Sequence, residues 1–248
     1  MLRFAWRLLN PVLDWRRTGR ALREYPRFAS DWRRYRRLGG VAPLTELYPQ
    51  LHDRLETSAY DPHYFFQDVW AAQRVAEHRP ARHVDVGSRV DLVGFLTALA
   101  EVTFVDIRPL EANIEGLTSV AGSVLDLPFD DRSLDSVSCL HVAEHIGLGR
   151  YGDPLDPQGT RLAATELQRV VTEGGQLLFS TPVGRPRTSF NAHRIHAPGE
   201  VVEMFGELSL EEFSGVDDAG RFRRNRELSD LDGSDYACGM FLFRRAKT

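Results

Sequence analysis

The sequence has few of the residues that build metal or disulfide frameworks. It contains two cysteines, Cys139 and Cys238, in 248 residues, which argues against a disulfide framework and against a zinc cluster. Both lie in apolar runs, so we expect two buried thiols, consistent with a reducing compartment. The sequence therefore predicts no metal site.

The sequence also lacks a long uncharged stretch. No segment approaches the ~20 apolar residues that a membrane-spanning helix needs. Arg7 and Asn10-Pro11 interrupt the apolar residues at the beginning, so we expect no secretory signal and a cytoplasmic protein. With 42% apolar residues, the chain can bury one sizeable core, which predicts one main domain with an appendage.

Charge is distributed unevenly along the chain. Residues 1–38 hold eleven arginines against three acidic residues, a net charge of +8, and because the overall charge is −4 the rest carries −12. Two apolar stripes at helical spacing accompany the arginines: Leu2, Trp6, Leu9 and Leu13, then Leu22, Tyr25, Phe28, Trp32 and Tyr35. These helices suit an anionic membrane, here its inner face. Alternatively, the stripes pack on the protein's own core or on a second copy in a homo-oligomer. Nucleic acid is a weaker third partner, because the bulk of the chain is acidic.

Two domains are predicted, a basic helical extension with its linker over 1–60 and an α/β domain over 61–248. Gly39-Gly40 and Pro43 mark 39–60 as the linker. Asp61 is a candidate N-cap with Pro62 at the first helical position, and Pro80 ends that helix.

From Arg82 onward, short apolar strands alternate with helices. The predicted strands cover 82–87, 102–107, 117–122, 133–141 and 174–182, and the predicted helices cover 90–100 and 160–171. This alternation indicates a mostly parallel, Rossmann-like sheet with helices on both faces. The last strands, 208–216 and 236–245, have no clear helix between them, so we expect an antiparallel pair at the sheet edge.

Acidic residues follow the first three strands, where such folds bind ligands. They are Asp85, Asp106 and Asp126. An acid at the end of the second strand can hold ribose hydroxyls. "DVGSRVD" has Arg89 and Asp91 where a pyrophosphate loop would have glycines. This argues against a nicotinamide enzyme and favours an adenosine ligand without phosphates.

The order of these motifs resembles the class I S-adenosylmethionine-dependent methyltransferases over residues 80–245. The resemblance rests on Asp85-x-Gly87, Asp106, "DLPF" at 126–129, Glu144-His145 and "LQRVVTEGGQLLFSTP". It is closer to a methyltransferase-like family known as a domain of unknown function, through "DVGSRVDLVGFL", "FVDIRPLEANIEGL", "HVAEHIGLGRYGDPLDPQG", "SFNAHRIH" and "YACGMFLF".

The resemblance implies S-adenosylmethionine as the cofactor. Gly87 would approach its methionine portion, Asp106 its ribose and Asp126 its adenine. The full set of expected cofactor residues is Asp85, Gly87, Ser88, Asp106, Ile107, Asp126 and Leu127.

The stretch "CLHVAEHIGLGRYGDP" (139–154) follows the fourth strand, where this fold brings the acceptor to the methyl donor. His145, Glu144 and His141 are the candidate catalytic residues, because an imidazole can take the proton of a hydroxyl at neutral pH. If the stretch is helical, the two histidines share a face. Glu144 can orient a histidine, whereas a Glu-His pair offers too few ligands for a metal.

Two polar segments are expected to bind the acceptor. The first carries Arg150, Tyr151 and Asp153, and the second, "FNAHRIHAP" (190–198), carries His193, Arg194 and His196. Arg194 can hold a carboxylate or phosphate by two parallel hydrogen bonds.

Together these features predict an O-methyltransferase for a polar small molecule or glycan. A hydroxyl on a surface glycan or its lipid-linked precursor agrees with the basic, amphipathic N-terminus. The alternative is a catalytically inactive protein of the same fold that serves as a binding or assembly module. The two differ in whether S-adenosylmethionine is bound and turned over.

Overall fold

The computed structural model describes residues 15–247, so the apolar stripe predicted over residues 2–13 lies outside the described residues. The chain divides into two compact units, one ending at Tyr60 and one beginning at Asp61. Within residues 15–247, no helix combines the length and the hydropathy that crossing a bilayer requires.

Helix α1 (Trp15–Arg37) is the longest element described in the first unit, and a short 3-10 turn follows at Leu44–Glu46. The indole of Trp32 donates to the carbonyl of Ala42 at 2.9 Å, which folds the chain back beside the end of the helix. Other members of the second apolar stripe stay exposed: Leu22 by 67%, Tyr25 by 47% and Tyr35 by 56%.

The second unit opens with helix α2 (Pro62–His78). The carboxylate of Asp61 accepts hydrogen bonds from the backbone N–H groups of His63 at 2.9 Å and Tyr64 at 3.4 Å, which confirms the predicted cap. Arg79, at a φ of +53°, ends the helix in the left-handed conformation.

A mixed β-sheet forms the centre of this unit. Its strands are β1 (Arg82–Val86), β2 (Glu101–Asp106), β3 (Leu117–Ala121), β4 (Leu134–Leu140), β5 (Val171–Val183), β8 (Ser209–Val216), β9 (Phe222–Arg223) and β10 (Ala237–Arg244). They lie in the order β3-β2-β1-β4-β5-β10-β8-β9. Strands β1 to β5 are parallel, and β10 is antiparallel to both β5 and β8. The predicted sheet, including its antiparallel edge, is confirmed.

Shorter elements complete the unit. They are α3 (Val90–Leu96), α4 (Gly159–Val170), α5 (Pro198–Met204) and the hairpin of β6 (Arg187–Ser189) with β7 (His193–Ile195). Helix α3 ends four residues before the predicted boundary at 100, because Ala98 and Leu99 donate in tight turns to Phe95 and Leu96 and the chain enters β2 at once. Strand β5 begins at Val171, directly after α4, and not at the Gly-Gly turn.

Apolar layers cover both faces of the sheet. One layer contains Leu177 and Phe179 of β5 with residues of α4 and α5, and the other contains Leu178 of β5 with Trp70 of α2. Successive side chains of a strand point to opposite faces, so β5 contributes to both layers. Because helices cover both faces, the carboxyl ends of the parallel strands are left for a binding site.

Candidate active site

A cavity of about 330 Å³ lies beyond the carboxyl ends of the parallel strands. It is lined by Val86, Gly87, Val105, Asp106, Ile107, Arg108, Gly122, Ser123, Val124, Leu125, His141, Val142, His145, Ile146, Tyr151, Gly152, Asp153 and Pro154. The volume lies in the range of small-molecule sites. The lining includes three predicted cofactor residues: Gly87, Asp106 and Ile107. It also includes four predicted catalytic or acceptor residues: His141, His145, Tyr151 and Asp153.

Gly87 forms the turn after β1 with a φ of +70°. A Cβ atom at this position would lie 3.1 Å from Cγ1 of Val142 and 3.7 Å from Oδ2 of Asp106. The missing side chain therefore keeps open the space between the ends of β1, β2 and β4, and a left-handed φ favours glycine.

Asp106 ends β2 at the side of this space. Its Oδ1 accepts a hydrogen bond from the backbone N–H of Arg108 at 2.7 Å, which fixes the carboxylate. Within residues 15–247, no hydrogen bond to Oδ2 is found. Ile107 beside it is half exposed and offers an apolar surface to the cavity.

Asp85 and Ser88 lie beneath the turn and do not line the cavity. The carboxylate of Asp85 accepts hydrogen bonds from the backbone N–H of Ser88 at 3.0 Å and from the hydroxyl of Ser138. Ser88 Oγ in turn accepts from the N–H of Leu140 at 3.1 Å. Burial raises the pKa of Asp85 to about 6, against these hydrogen bonds, which favour the charged form. Both residues brace the turn that carries Gly87.

The region after β3 differs from the expectation. Asp126 is exposed and lies outside the cavity lining, and Leu127 is buried in the core. The N–H of Leu127 donates to Glu166 at 2.7 Å. Residues 122–125 form the cavity wall instead. They are small or apolar, and an argument from charged strand ends could not identify them.

Arg89 and Asp91, the departures from the glycine pattern, pair with each other at 2.8 Å at the start of α3. The guanidinium of Arg89 also lies 5.2 Å from the ring centre of Tyr64. Neither residue lines the cavity, so these larger side chains leave it open.

His145 stands on the opposite wall at the end of a 3-10 turn, Ala143–His145. Its Nδ1 lies 2.6 Å from the carbonyl oxygen of Ala192. Because a carbonyl only accepts, Nδ1 carries the proton and Nε2 keeps its lone pair. Burial lowers the pKa of His145 to about 4, so the imidazole is neutral at physiological pH.

Glu144 precedes His145 and is fully buried. Among residues 15–247, neither carboxylate oxygen has a hydrogen-bond partner, and Oε1 lies 3.7 Å from Nε2 of His145, beyond hydrogen-bonding distance. Burial raises the pKa of Glu144 to about 8. A carboxyl group is therefore held in its protonated form beside a neutral imidazole.

His141 ends β4 with a φ of +56° and also lies at the cavity wall. Its ring centre is 5.4 Å from that of Tyr64 and 5.9 Å from that of His63. Burial lowers its pKa to about 3. The helical face that His141 and His145 would share is not formed, because the 3-10 turn begins only at Ala143.

The loop after His145 closes one side of the cavity. Asp153 accepts hydrogen bonds from the backbone N–H groups of Gly147, Gly149 and Tyr151, which gives the loop its shape and lowers the pKa of this carboxyl against its partial burial. The ring of Tyr151 lies between two guanidinium groups, 4.9 Å from Arg108 and 5.2 Å from Arg150. Arg108 lies within "FVDIRPLEANIEGL", but the sequence alone does not show which side chains of this stretch face the cavity.

The segment after β6 supports the site from behind. Arg194 is buried and donates to the carbonyl oxygens of Ile146 and of Asp156, the latter at 2.7 Å. Arg194 therefore holds the backbone of the loop in place, whereas the sequence predicted that it binds an anionic group of the acceptor. His193 and His196 do not line the cavity. The ring centre of His193 is 4.9 Å from that of Tyr236, and His196 lies 3.7 Å from Glu200.

Known proteins share this architecture. N-methyltransferase NodS from Bradyrhizobium japonicum, in complex with S-adenosyl-L-homocysteine, superposes with a TM-score of 0.53 at 15% identity, over 75% of this chain and 89% of the other. The 1,6-didemethyltoxoflavin-N1-methyltransferase of Burkholderia thailandensis, with bound S-adenosylhomocysteine, gives 0.50 at 15% identity, over 78% and 94%.

The chain has the class I methyltransferase fold. The [4+2]-cyclase SpnF is also similar, with a TM-score of 0.54 at 13% identity over 73% of this chain and 82% of that one. Identities this low show the fold alone, and the methyltransferase fold thus also occurs in a protein named for another reaction.

Sequence comparison adds a family but no activity. Residues 127–227 match a family described as Caenorhabditis protein of unknown function, DUF268, which agrees with the resemblance to a domain of unknown function. A search of curated proteins finds no significant match. The matched segment contains the 3-10 turn of His145 and the loop with Tyr151 and Asp153.

Proposed function

We propose that the protein transfers a methyl group from S-adenosylmethionine to a hydroxyl of a polar acceptor, with His145 as the general base. The observation that carries the proposal is the position of a neutral imidazole on the wall of a cavity that Gly87 and Asp106 also line. The neighbouring structures with bound S-adenosylhomocysteine support the choice of cofactor by fold.

The residues present fit this cofactor. Gly87 leaves open a space that a Cβ would fill, and Asp106 keeps Oδ2 available beside it for the two hydroxyls of a ribose. Ile107 and Leu125 provide apolar surface for an adenine ring. When bound, S-adenosylmethionine supplies an electrophilic methyl group on a sulfonium centre.

His145 Nε2 would receive the proton of the acceptor hydroxyl. The hydrogen bond from Nδ1 to Ala192 holds the ring in the tautomer with the lone pair on Nε2, and Arg150 donates to the same carbonyl at 3.1 Å. The carboxyl group of Glu144 lies 3.7 Å from Nε2, so its carbonyl oxygen could accept a hydrogen bond from the proton that Nε2 receives after a small movement. Positioned general bases contribute typically 10²–10⁴-fold to a rate.

A sugar hydroxyl, on a surface glycan or its lipid-linked precursor, is the acceptor that we propose. Tyr151 and Asp153 line the cavity beside His145 and offer a ring face and polar atoms to a hydroxyl-rich molecule. Residues 1–38, with their net +8, would hold the protein at the anionic inner face of a membrane where such precursors are assembled.

The membrane part is tested with anionic vesicles. Each basic residue near such a surface contributes about 1 kcal/mol, weakened by salt, and Leu22, Tyr25 and Tyr35 are exposed for insertion. Full-length protein should sediment with the vesicles and be partly released by high salt, whereas protein lacking residues 1–38 should fold and stay in solution. If the truncation instead lowers the melting temperature or changes the oligomeric state, and the full-length protein does not bind the vesicles, the apolar stripe packs on the protein's own core or on a second copy.

The catalytic part is tested by calorimetry with S-adenosylmethionine and S-adenosylhomocysteine, followed by methyl transfer to a panel of glycosides. Binding of both with transfer to a sugar supports the proposal. Binding without any transfer supports the alternative, an inactive binding or assembly module. If neither compound binds at millimolar concentration, the methyltransferase proposal fails.

A further inference from the structure

Three side chains with metal-binding atoms meet behind the cavity wall. They are His63 in the first turn of α2, His141 at the end of β4 and Cys238 of β10. One ligand atom from each lies within 4.8 Å of the other two. The sequence predicted no metal because Glu144 and His145 alone offer too few ligands. These three residues come from distant parts of the sequence, and the fold brings them together.

A chain of hydrogen bonds fixes the orientation of His141. The hydroxyl of Ser180 donates its proton to Oε1 of Gln67, so it must accept from Nδ1–H of His141, which lies 3.1 Å away. Nε2 of His141 therefore bears the lone pair. It is buried and has no hydrogen-bond partner within the part of the chain that the structure describes. Histidines that bind metals are held in the same way, by a hydrogen bond from the second ring nitrogen.

The sulfur of Cys238 beside Nε2 is also poorly satisfied. Cys238 is fully buried, and the only hydrogen bond of its Sγ in the described chain is a long one of 4.0 Å to the carbonyl of Gly239. Buried polar atoms without partners are rare in proteins and call for an explanation such as an unseen ion.

We propose that His63, His141 and Cys238 bind a zinc ion. Two imidazole nitrogens and one sulfur form a donor set that suits zinc. Small side-chain rotations would bring the three atoms to the roughly 2.0–2.3 Å that zinc requires. Cys238 would bind as the thiolate and release its proton on binding the ion.

An acidic recess leads to this cluster. It has a volume of about 450 Å³, and His63 and Tyr236 line it together with Asp61, Asp217, Asp218 and Asp235. These carboxylates accept hydrogen bonds from the surrounding backbone and from arginines, and their charge favours the approach of a cation.

The proposed zinc ion would connect α2, the end of β4 and β10. His141 lies four residues before His145 in the chain, so the ion would fix the segment that carries the proposed base. The site is independent of S-adenosylmethionine and remains testable if no methyl transfer is found.

The first test measures metal content in the full-length protein. We expect about one zinc per chain to remain after incubation with zinc and gel filtration, and a near-ultraviolet charge-transfer band when cobalt replaces zinc, because that band requires a thiolate ligand. Cys238→Ser should abolish the band and weaken zinc binding at least 10-fold. Cys139→Ser is the matched control, a second fully buried cysteine outside the cluster, and should keep both.

A pair of histidine variants tests the site without altering either cysteine. His63→Gln changes a half-buried residue and should weaken zinc binding at least 10-fold, whereas His78→Gln, in the last turn of the same helix, should not. Ser180→Ala should weaken binding about 10–100-fold through the lost support of His141, without loss of the cobalt–thiolate band. The proposal is overturned if no zinc is retained, or if Cys238→Ser and His63→Gln bind it as their controls do.

Discussion

Two carboxyl groups are fully buried at the carboxyl ends of neighbouring strands, and their surroundings are opposite. Asp85, in β1, accepts hydrogen bonds from Ser88 and Ser138. Glu144, just after β4, has no hydrogen-bond partner for either oxygen among the described residues. Burial raises the pKa of Asp85 to about 6 and that of Glu144 to about 8.

The difference separates two segments at the same edge of the sheet. The turn after β1 satisfies its polar groups internally and so forms a rigid support for the proposed cofactor site. The segment after β4 holds titratable groups with shifted pKa values, and under the proposed function it would carry the chemistry.

The largest effect should come from the β4 side. His145→Ala should reduce methyl transfer to the sugar acceptor by about 10²–10⁴-fold, because the proposed base is lost, while calorimetry should find the affinity for S-adenosylmethionine unchanged. His141→Ala is the comparison. A larger loss in that variant would assign the base to His141, and no loss in either would make both histidines structural.

The two carboxyls should also titrate differently on folding. A raised pKa means that the folded protein keeps a proton that the unfolded chain releases, so stability falls as pH rises between the unfolded and folded pKa values. For Glu144 this window runs from 4.5 to about 8 and for Asp85 from 3.8 to about 6. At 1.36 kcal/mol per unit, the losses are about 5 and about 3 kcal/mol.

Between pH 6.5 and 8, the wild type should therefore lose stability and Glu144→Gln should not, as measured by urea unfolding in the presence of a chelator. Asp85→Asn should differ from the wild type in this way only below about pH 6. Equal pH profiles for the wild type and Glu144→Gln would show that Glu144 is ionised in the folded protein, contrary to the comparison.

On the cofactor side, the expected effect is on binding. Asp106→Ala should weaken the binding of S-adenosylmethionine by roughly 2–3 kcal/mol, the range for hydrogen bonds to a charged group, or about 30- to 150-fold. Folding should change little, because the carboxylate stands at an open cleft. Asp126→Ala, at an exposed acid outside the cavity, is the control. An equal loss there would place the nucleoside nearer β3.

The smallest effect concerns the turn itself. Gly87→Ala should lower the free energy of unfolding by about 1–2 kcal/mol, because φ is +70° and a Cβ would press on Val142. Gly94→Ala, in α3 with nothing within 4 Å of an added Cβ, should raise it by about 0.5–1 kcal/mol. Thermal unfolding measures both, and a Gly87→Ala variant as stable as Gly94→Ala would show that the turn does not need glycine.

The sequence predicted the sheet well because its signals are local. Alternating apolar strands, the Asp61-Pro62 cap and the strand-end positions of Gly87 and Asp106 can all be read within short windows. The cavity contains Gly87, Asp106 and His145 for the same reason, since parallel strands end at one edge of the sheet.

What the sequence did not reveal depends on long-range contacts. The surrounding fold decides that Asp85 is covered by its own turn and that Arg194 is used on backbone carbonyls. The cluster of His63, His141 and Cys238 combines residues up to 175 positions apart, so no spacing rule could find it. Residues 122–125, which form the short cavity wall after β3, also match no distinct sequence pattern.

The position of β10 in the sheet has a consequence for synthesis of the chain. β10 pairs with both β5 and β8, yet it follows both along the chain. β5 is complete about sixty residues before β10 ends, an interval of roughly 3–12 s at 5–20 residues per second on the ribosome. Until β10 is made, β5 and, after its own synthesis, β8 lack this partner, and Phe179 and Phe213 lack the contact with Phe241. The nascent chain is therefore open to aggregation through an unpaired apolar edge until this strand emerges.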